Sequence, residues 1–475
     1  MYATTVRALA SRGHEVRLAY DNPDKGSRDR GALEGAPAAL STVGAVPAHD
    51  GPWREALIEL GCTIDYVRFL SKRDGSPYLR GRMDRYLPVR AASLRRARTW
   101  PTWLVRLLAR ISTLVERAVP VDPALTRFLD AQAPDAMVIT PLVLRGPGGV
   151  QQTELVKAAR VKGIPVGLAV GSWDHLSSKG FIRMEPDMVL VWNGIQKKEA
   201  VEMHGIPTSK LVVTGAQVFD LWFGRKPSID RDEFLKRVGL PNDRPVILYA
   251  GSSRGIANPT LEIAFVRQWL EAVRHSTDPV LRTAAVLVRP HLSNVVAWAG
   301  VDLSALGASI WPRQRPMLPM NDLETADYFH SLYYSAAVVG INTSAMIEAS
   351  IIGRPVLTVQ VPEFAESQAG TTHFRYLVPS GGGSVESAST FDEHIRQLAR
   401  AVAHPDTNRQ ARERFVQNFV RPRGLETPAL DAVVEAIELL TRMRPRPLTD
   451  APAVLAPLRW TLRHATQGSP TAGTG

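Results

Sequence analysis

Residues 338–358 read Val338-Val-Gly-Ile-Asn-Thr-Ser-Ala-Met-Ile-Glu-Ala-Ser-Ile-Ile-Gly-Arg-Pro-Val-Leu-Thr358. An apolar run stops at Asn342-Thr343-Ser344, three residue types that favour helix starts. The helix that follows stops at Gly353, and Pro355 opens a second apolar run. Strand, helix and strand in so short a stretch form the repeating unit of a parallel sheet. The first-turn N–H groups of such a helix have no partner within it, and together with the helix dipole they suit a diphosphate. Glu348 stands four residues after Ser344, one turn along the same face, where its carboxylate would accept hydrogen bonds from ribose hydroxyls. The plain alternative is a capped helix with a surface glutamate.

The same alternation fills the chain on either side. Apolar runs at 245–250, 285–288, 309–311, 337–341 and 355–359 alternate with helical patterns at 259–274, 323–334, 344–352 and 391–403. The N-terminal half gives strands at 15–20, 63–69, 136–140, 164–170, 188–192 and 211–214, with helices such as 151–162 and 194–204 between them. Apolar strands separated by helices predict parallel sheets covered on both faces. A polar stretch, Gly224-Arg-Lys-Pro-Ser-Ile-Asp-Arg-Asp232, resets the pattern. The reading is α/β, with two Rossmann-like doubly wound domains at 1–225 and 235–443 and a disordered tail at 444–475. The last helices, after about Glu413, are expected to pack back on the first domain.

The chain opens in a helix at 4–12, stopped by Gly13, and residues 15–20 follow as a second strand. The N-terminal domain is therefore expected to lack its first strand and the glycine-bearing turn after it. His14 precedes a strand and reads as structural, and Arg145-Gly-Pro-Gly-Gly149 reads as a flexible loop.

Of 475 residues, 45% are apolar and 22% charged, an ordinary globular balance. Cys62 is the only cysteine, which excludes an internal disulfide framework and a cysteine-based metal site. With no membrane-spanning run and no apolar, cleavable start, the expected location is cytoplasmic. The net charge of +11 is concentrated. Between Arg80 and Arg117 there are ten arginines against Asp84 and Glu116, with Trp100 and Trp103 among Leu104, Leu107, Leu108 and Ile111. One reading is a basic amphipathic helix resting on an anionic bilayer, which would make the protein peripheral at the inner membrane face. The other is a solvated helix whose apolar stripe packs on the domain. Nucleic acid is not an expected partner, because the arginines cluster without the interleaved solvent-facing aromatics or the motifs that such modules use.

In open α/β sheets, ligands lie beyond the carboxyl ends of the strands, so the loops at those ends are the ones to read. Gly251-Ser252-Ser253-Arg254-Gly255 offers small residues, hydroxyls and a cation for a phosphate. Gly171-Ser-Trp-Asp-His-Leu-Ser-Ser-Lys-Gly180 gathers Trp173, Asp174, His175 and Lys179, and Asp174 or His175 would deprotonate an acceptor hydroxyl.

The 338–358 segment resembles the donor-binding strand and helix of GT-B glycosyltransferases, particularly the bacterial surface-polysaccharide and CDP-glycerol-transferase-like branch. Leu287-Val-Arg-Pro-His-Leu292 is similar to that branch's Arg/Lys-x-His-Pro element, without the proline after the histidine. The resemblance implies two Rossmann-like domains facing across a cleft and a nucleotide-sugar donor. The acceptor would be a polysaccharide, a lipid-linked molecule or a small hydroxyl compound. Arg289 and His291 would then neutralise phosphate charge as the nucleotide leaves. Trp311 would lie where the base is read, Glu363 and Gln368 would contact sugar hydroxyls, and no metal or other cofactor would be needed. The same architecture also serves UDP-N-acetylglucosamine 2-epimerases and glycerophosphotransferases. The paired acidic and histidine set of an epimerase does not assemble from the sequence.

Overall fold

The computed structural model describes residues 2–21, 35, 37–48, 53–72, 77–314, 322–448 and 453–467. The chain divides into two compact units, one of Met1–Val218 with Thr427–Gly475 and one of Phe219–Glu426. Each is a parallel α/β unit of the Rossmann type that the apolar runs predict.

In the first unit, β1 (Val16–Tyr20) pairs in parallel with β2 (Leu40–Ala45). A second sheet takes β3 (Met137–Ile139), β4 (Val166–Ala169), β5 (Met188–Val191) and β6 (Leu211–Val213) in that order, all parallel. Among the described residues the two sheets share no ladder. Strands β4 and β5 are buried along their whole length, which is why they are apolar at every position rather than at alternate ones. The helix Ala429–Arg442 packs on them. A Cβ on Gly167 of β4 would lie 2.8 Å from Leu440 Cδ2, so the missing side chain is what lets that helix approach. Glu438 of the same helix pairs with Arg12 and His14, giving His14 a structural role.

Four expectations change here. Residues 63–69 are not a strand but part of the helix Arg54–Lys72, where the Thr63 hydroxyl donates to the Glu59 carbonyl 2.7 Å away. Helices Thr102–Ala118 and Gly146–Val161 pack against it, and Ile64, Asp65, Tyr66, Val67 and Phe69 are all buried. A helix covered on several sides loses the one-sided pattern that identifies it. Arg145–Gly149 is the start of the helix Gly146–Val161, with an Arg145 Nη2 donating to the Lys179 carbonyl. The C-terminal boundary also moves, because Ala429–Arg442 belongs with the first unit, whereas Arg409–Phe419 packs in the second against Ala345–Ile352. Past residue 444 the chain is ordered for a stretch: Leu448 N–H donates to the Arg160 carbonyl, and Ala456–Gln467 is helical against Thr102–Ala118. Residues 468–475 lie outside the described residues.

The second unit is one six-stranded parallel sheet. Its strands are β7 (Val246–Ala250), β8 (Ala285–Arg289), β9 (Ala308–Ile310), β10 (Ala337–Gly340), β11 (Val356–Val359) and β12 (Glu386–Ala388). The spatial order is β12-β11-β10-β7-β8-β9. The winding therefore reverses between β7 and β10, whose residues Ala250 and Gly340 lie side by side. Helix starts are chemically marked: Asn258 caps Pro259–Arg274 and Thr390 caps Phe391–Ala403. Trp269, Leu270 and Phe265 of the first of these fill the core against Tyr249, Val286 and Val288. The reversal matters most for function, because in open α/β sheets it is the strand ends at such a reversal that bind ligands.

Candidate functional site

The loop after β7 is clamped from both sides of the reversal. The Ser252 hydroxyl accepts from Asn342 N–H at 3.3 Å, and the Ser252 carbonyl accepts from the Asn294 amide at 2.9 Å. The Ser252 N–H donates to buried Glu262, which also accepts from the Tyr249 hydroxyl. Burial pushes Glu262 up to about 7. A Cβ on Gly251 would sit 2.8 Å from the His291 nitrogen and 3.1 Å from the Arg289 carbonyl oxygen. Glycine here allows the ends of β7 and β8 to touch. Ser253 is half-buried and Arg254 exposed.

Arg289 closes β8 and is buried, at 7% exposure. Its Nη1 donates to the Ser331 hydroxyl at 3.0 Å, and its guanidinium carbon lies 5.1 Å from the Tyr328 ring centre. No carboxylate lies within ion-pair distance of it among the described residues. Burial pulls its pKa down to about 10, with Tyr328 and Asp327 partly opposing the shift. The Tyr328 hydroxyl in turn donates to Glu348. Arg289, Tyr328 and Glu348 thus form one line at the β8 and β10 strand ends. Tyr328 and Ser331 belong to the helix Asp322–Tyr333, which the sequence reading treated only as cover.

Burial pushes half-buried Glu348 up to about 7, and the Tyr328 hydroxyl holds it from going higher. A carboxyl raised in this way contributes stability that is lost as pH rises through about 7. The carboxylate that would accept ribose hydroxyls is conversely present above about 7 and lost below it. Affinity for UDP, measured by calorimetry, should therefore fall on acidification through about 7. In Tyr328→Phe the fall should begin at higher pH. A pH-independent affinity in both proteins would remove Glu348 from the site.

The other expected donor residues are placed unevenly. Half-buried His291 accepts at Nδ1 from Ser293 N–H, which leaves the proton of its neutral ring on Nε2; burial lowers its pKa. Asn342 does not cap the helix Ala345–Ile352, because its amide donates to the Ser367 carbonyl at 2.6 Å and contacts His373. Ser344 is the residue at the cap, without a side-chain cap bond, and Thr343 offers only a 3.5 Å contact to Ala345 N–H. Half-buried Trp311 continues the ladder through its N–H to the Val288 carbonyl. Glu363 is exposed. Gln368 is fully buried and its amide bridges the carbonyls of Ile341 and Val359, so it braces the ends of β10 and β11.

In the first unit, the loop after β4 holds Asp174 and His175. Asp174 accepts from the hydroxyls of Ser172 at 2.6 Å and Ser178 at 3.0 Å, and pairs with Lys179 at 3.4 Å. Burial lowers the His175 pKa, and its Nδ1 is buried without a hydrogen-bond partner among the described residues. Among the described residues no three His, Cys, Asp or Glu side chains gather as a metal site.

No family model matches the chain, and no curated protein sequence matches it. Solved structures do align with it. The UDP-GlcNAc 2-epimerase of Neisseria meningitidis bound to UDP-GlcNAc aligns at TM-score 0.42 and 16% identity, over 69% of this chain and 81% of that one. The wall teichoic acid polymerase TagF aligns at 0.33 and 15%, over 54% of this chain and 58% of that one. WaaG, a glycosyltransferase involved in lipopolysaccharide biosynthesis, aligns at 0.45 and 11%, over 93% and 95%. Identities this low carry no residue's role from those proteins to this one.

Proposed function

We propose that this protein is an enzyme that transfers a sugar from a nucleoside-diphosphate donor to a hydroxyl acceptor, with the donor held by the second unit. Arg289 carries the reading. A buried guanidinium without a carboxylate is costly unless an anion completes it. It closes β8, which lies beside β7 and one strand from the reversal, at the strand ends where such sheets bind ligands. In the transfer, the bond from sugar carbon to diphosphate oxygen breaks and the acceptor oxygen bonds to that carbon. The acceptor proton passes to a base. Arg289 takes up charge on the departing diphosphate, and the positive end of the helix Ala345–Ile352 adds to it. Glu348 holds the ribose. His175 is the base, since burial favours its neutral ring. Asp174, tied to Ser172, Ser178 and Lys179, fixes the loop that carries it.

The test is product analysis with a panel of nucleotide sugars and CDP-glycerol. Glycosyl transfer releases a nucleoside diphosphate, whereas phosphoglycerol transfer releases a monophosphate. Epimerisation releases neither and alters the sugar. Diphosphate release that depends on an acceptor, and that His175→Ala slows without weakening nucleotide affinity, is the expected result. Monophosphate release or an altered, intact donor would replace the reading with one of the other two.

A further inference from the structure

We infer that the outward face of the helix Thr102–Ala118 is a docking surface for an anionic lipid bilayer. The inference stands apart from the donor reading and would survive its failure. The sequence left open whether the apolar residues of this segment pack inward. They do not all do so. The inward face, against the helix Arg54–Lys72, is Val105, Ala109, Ser112, Thr113 and Glu116. Trp103, Leu107 and Ile111, spaced by four, remain 66%, 45% and 49% exposed. Three large apolar side chains are thus stacked on the solvent side of the helix, while Val105, Ala109 and Leu108 pack inward against Val67 and Leu70. A row of large apolar side chains left facing solvent is not what burial in a water-soluble protein selects.

The charges fit the same partner. Arg106 and Arg110 alternate with the apolar stripe and are exposed, and Arg85, Arg95 and Arg96 are exposed on the chain leading to it. None of these five forms an ion pair among the described residues. Both acids of the segment are occupied elsewhere: Asp84 pairs with Arg98, and buried Glu116 pairs with Arg183. The stripe is therefore bordered by uncompensated positive charge. The helix Ala456–Gln467 lies against Thr102–Ala118 and adds exposed Trp460. Indole rings among arginines suit the headgroup level of a bilayer. Among the described residues no helix is long and apolar enough to cross a membrane, so the mode is lying on the surface.

The experiment is vesicle co-sedimentation of the full chain, with pure phosphatidylcholine against vesicles enriched in phosphatidylglycerol. Binding should need the anionic lipid and weaken with added salt. Arg106→Gln with Arg110→Gln should reduce partitioning on the order of thirty-fold. Leu107→Ser with Ile111→Ser should weaken it too, and in these salt should matter as before. All four positions are exposed, so circular dichroism should be unchanged. Equal binding to neutral vesicles, or none to either, would overturn the proposal. So would retention on duplex DNA or RNA, abolished by the arginine changes, together with indifference to vesicles.

Discussion

Replacing Arg183 by methionine should destabilise the first unit by about 3–5 kcal/mol. Arg183 is 4% exposed and lies among elements far apart in sequence. Its Nε donates to Glu116 at 2.8 Å, its Nη2 to the Thr153 hydroxyl at 3.1 Å, and its Nη1 lies 3.5 Å from Asp65. The three partners come from the helices Thr102–Ala118, Gly146–Val161 and Arg54–Lys72. Removing the cation leaves two buried carboxylates, with Arg68 and Arg145 as the cations that still act on them. Burial already raises Asp65, and Arg183 is the first of the groups that hold it down. Without Arg183 its pKa must climb further. A carboxyl raised in the folded state takes up its proton earlier there than in the unfolded chain, so the deficit should shrink as pH falls. Urea unfolding followed at several pH values measures this. Asp65→Asn with Glu116→Gln, added to Arg183→Met, should recover part of the loss, because a neutral cluster needs no cation. A deficit below about 1 kcal/mol would show that the cluster is solvated rather than sealed.

Arg289→Ala should weaken binding of UDP or CDP by about one to two decades, corresponding to a charge-assisted contact of about 1.5–3 kcal/mol. The stability result should be opposite in sign to that of Arg183. Arg289 is also buried, yet its only described hydrogen-bond partner is a neutral hydroxyl, Ser331. An uncompensated buried cation costs free energy in the unliganded protein. Arg289→Met, which keeps most of the volume, should therefore leave the thermal midpoint unchanged or raise it while affinity falls. Arg289→Lys should give intermediate affinity, since the charge remains but the two-pronged guanidinium does not. Wild-type affinity in the alanine variant, or a midpoint that collapses with the affinity, would make Arg289 a structural residue and remove the basis of the donor site.

These two arginines illustrate what sequence does and does not disclose. The sheet of the second unit was readable because fully buried strands are continuous apolar runs between capped helices, as at Val246–Ala250 and Pro259–Arg274. From there, the strand-end rule leads to Gly251, Arg289 and Glu348. It does not lead to Tyr328, which reaches the site from a covering helix and has no local signature. Nor does residue type say which atom is free. Asn342 is a good capping residue, but its amide serves Ser367, and Gln368 looks like a sugar contact but joins two strand ends. Residues 63–69 failed for a different reason. A helix packed between other helices is apolar on too many sides for period alone to separate it from a strand.

The first unit is made of two pieces of chain, Met1–Val218 and Thr427–Gly475, with the whole second unit between them. Strands β4 and β5 therefore leave the ribosome long before the helix Ala429–Arg442 that covers them and fills the space beside Gly167. The second unit contains all of its own layers and is complete at Glu426. In the nascent chain the order of maturation is therefore expected to run against the order of synthesis. The inserted unit would close first, and the N-terminal sheet would wait with one face uncovered until the last helices arrive.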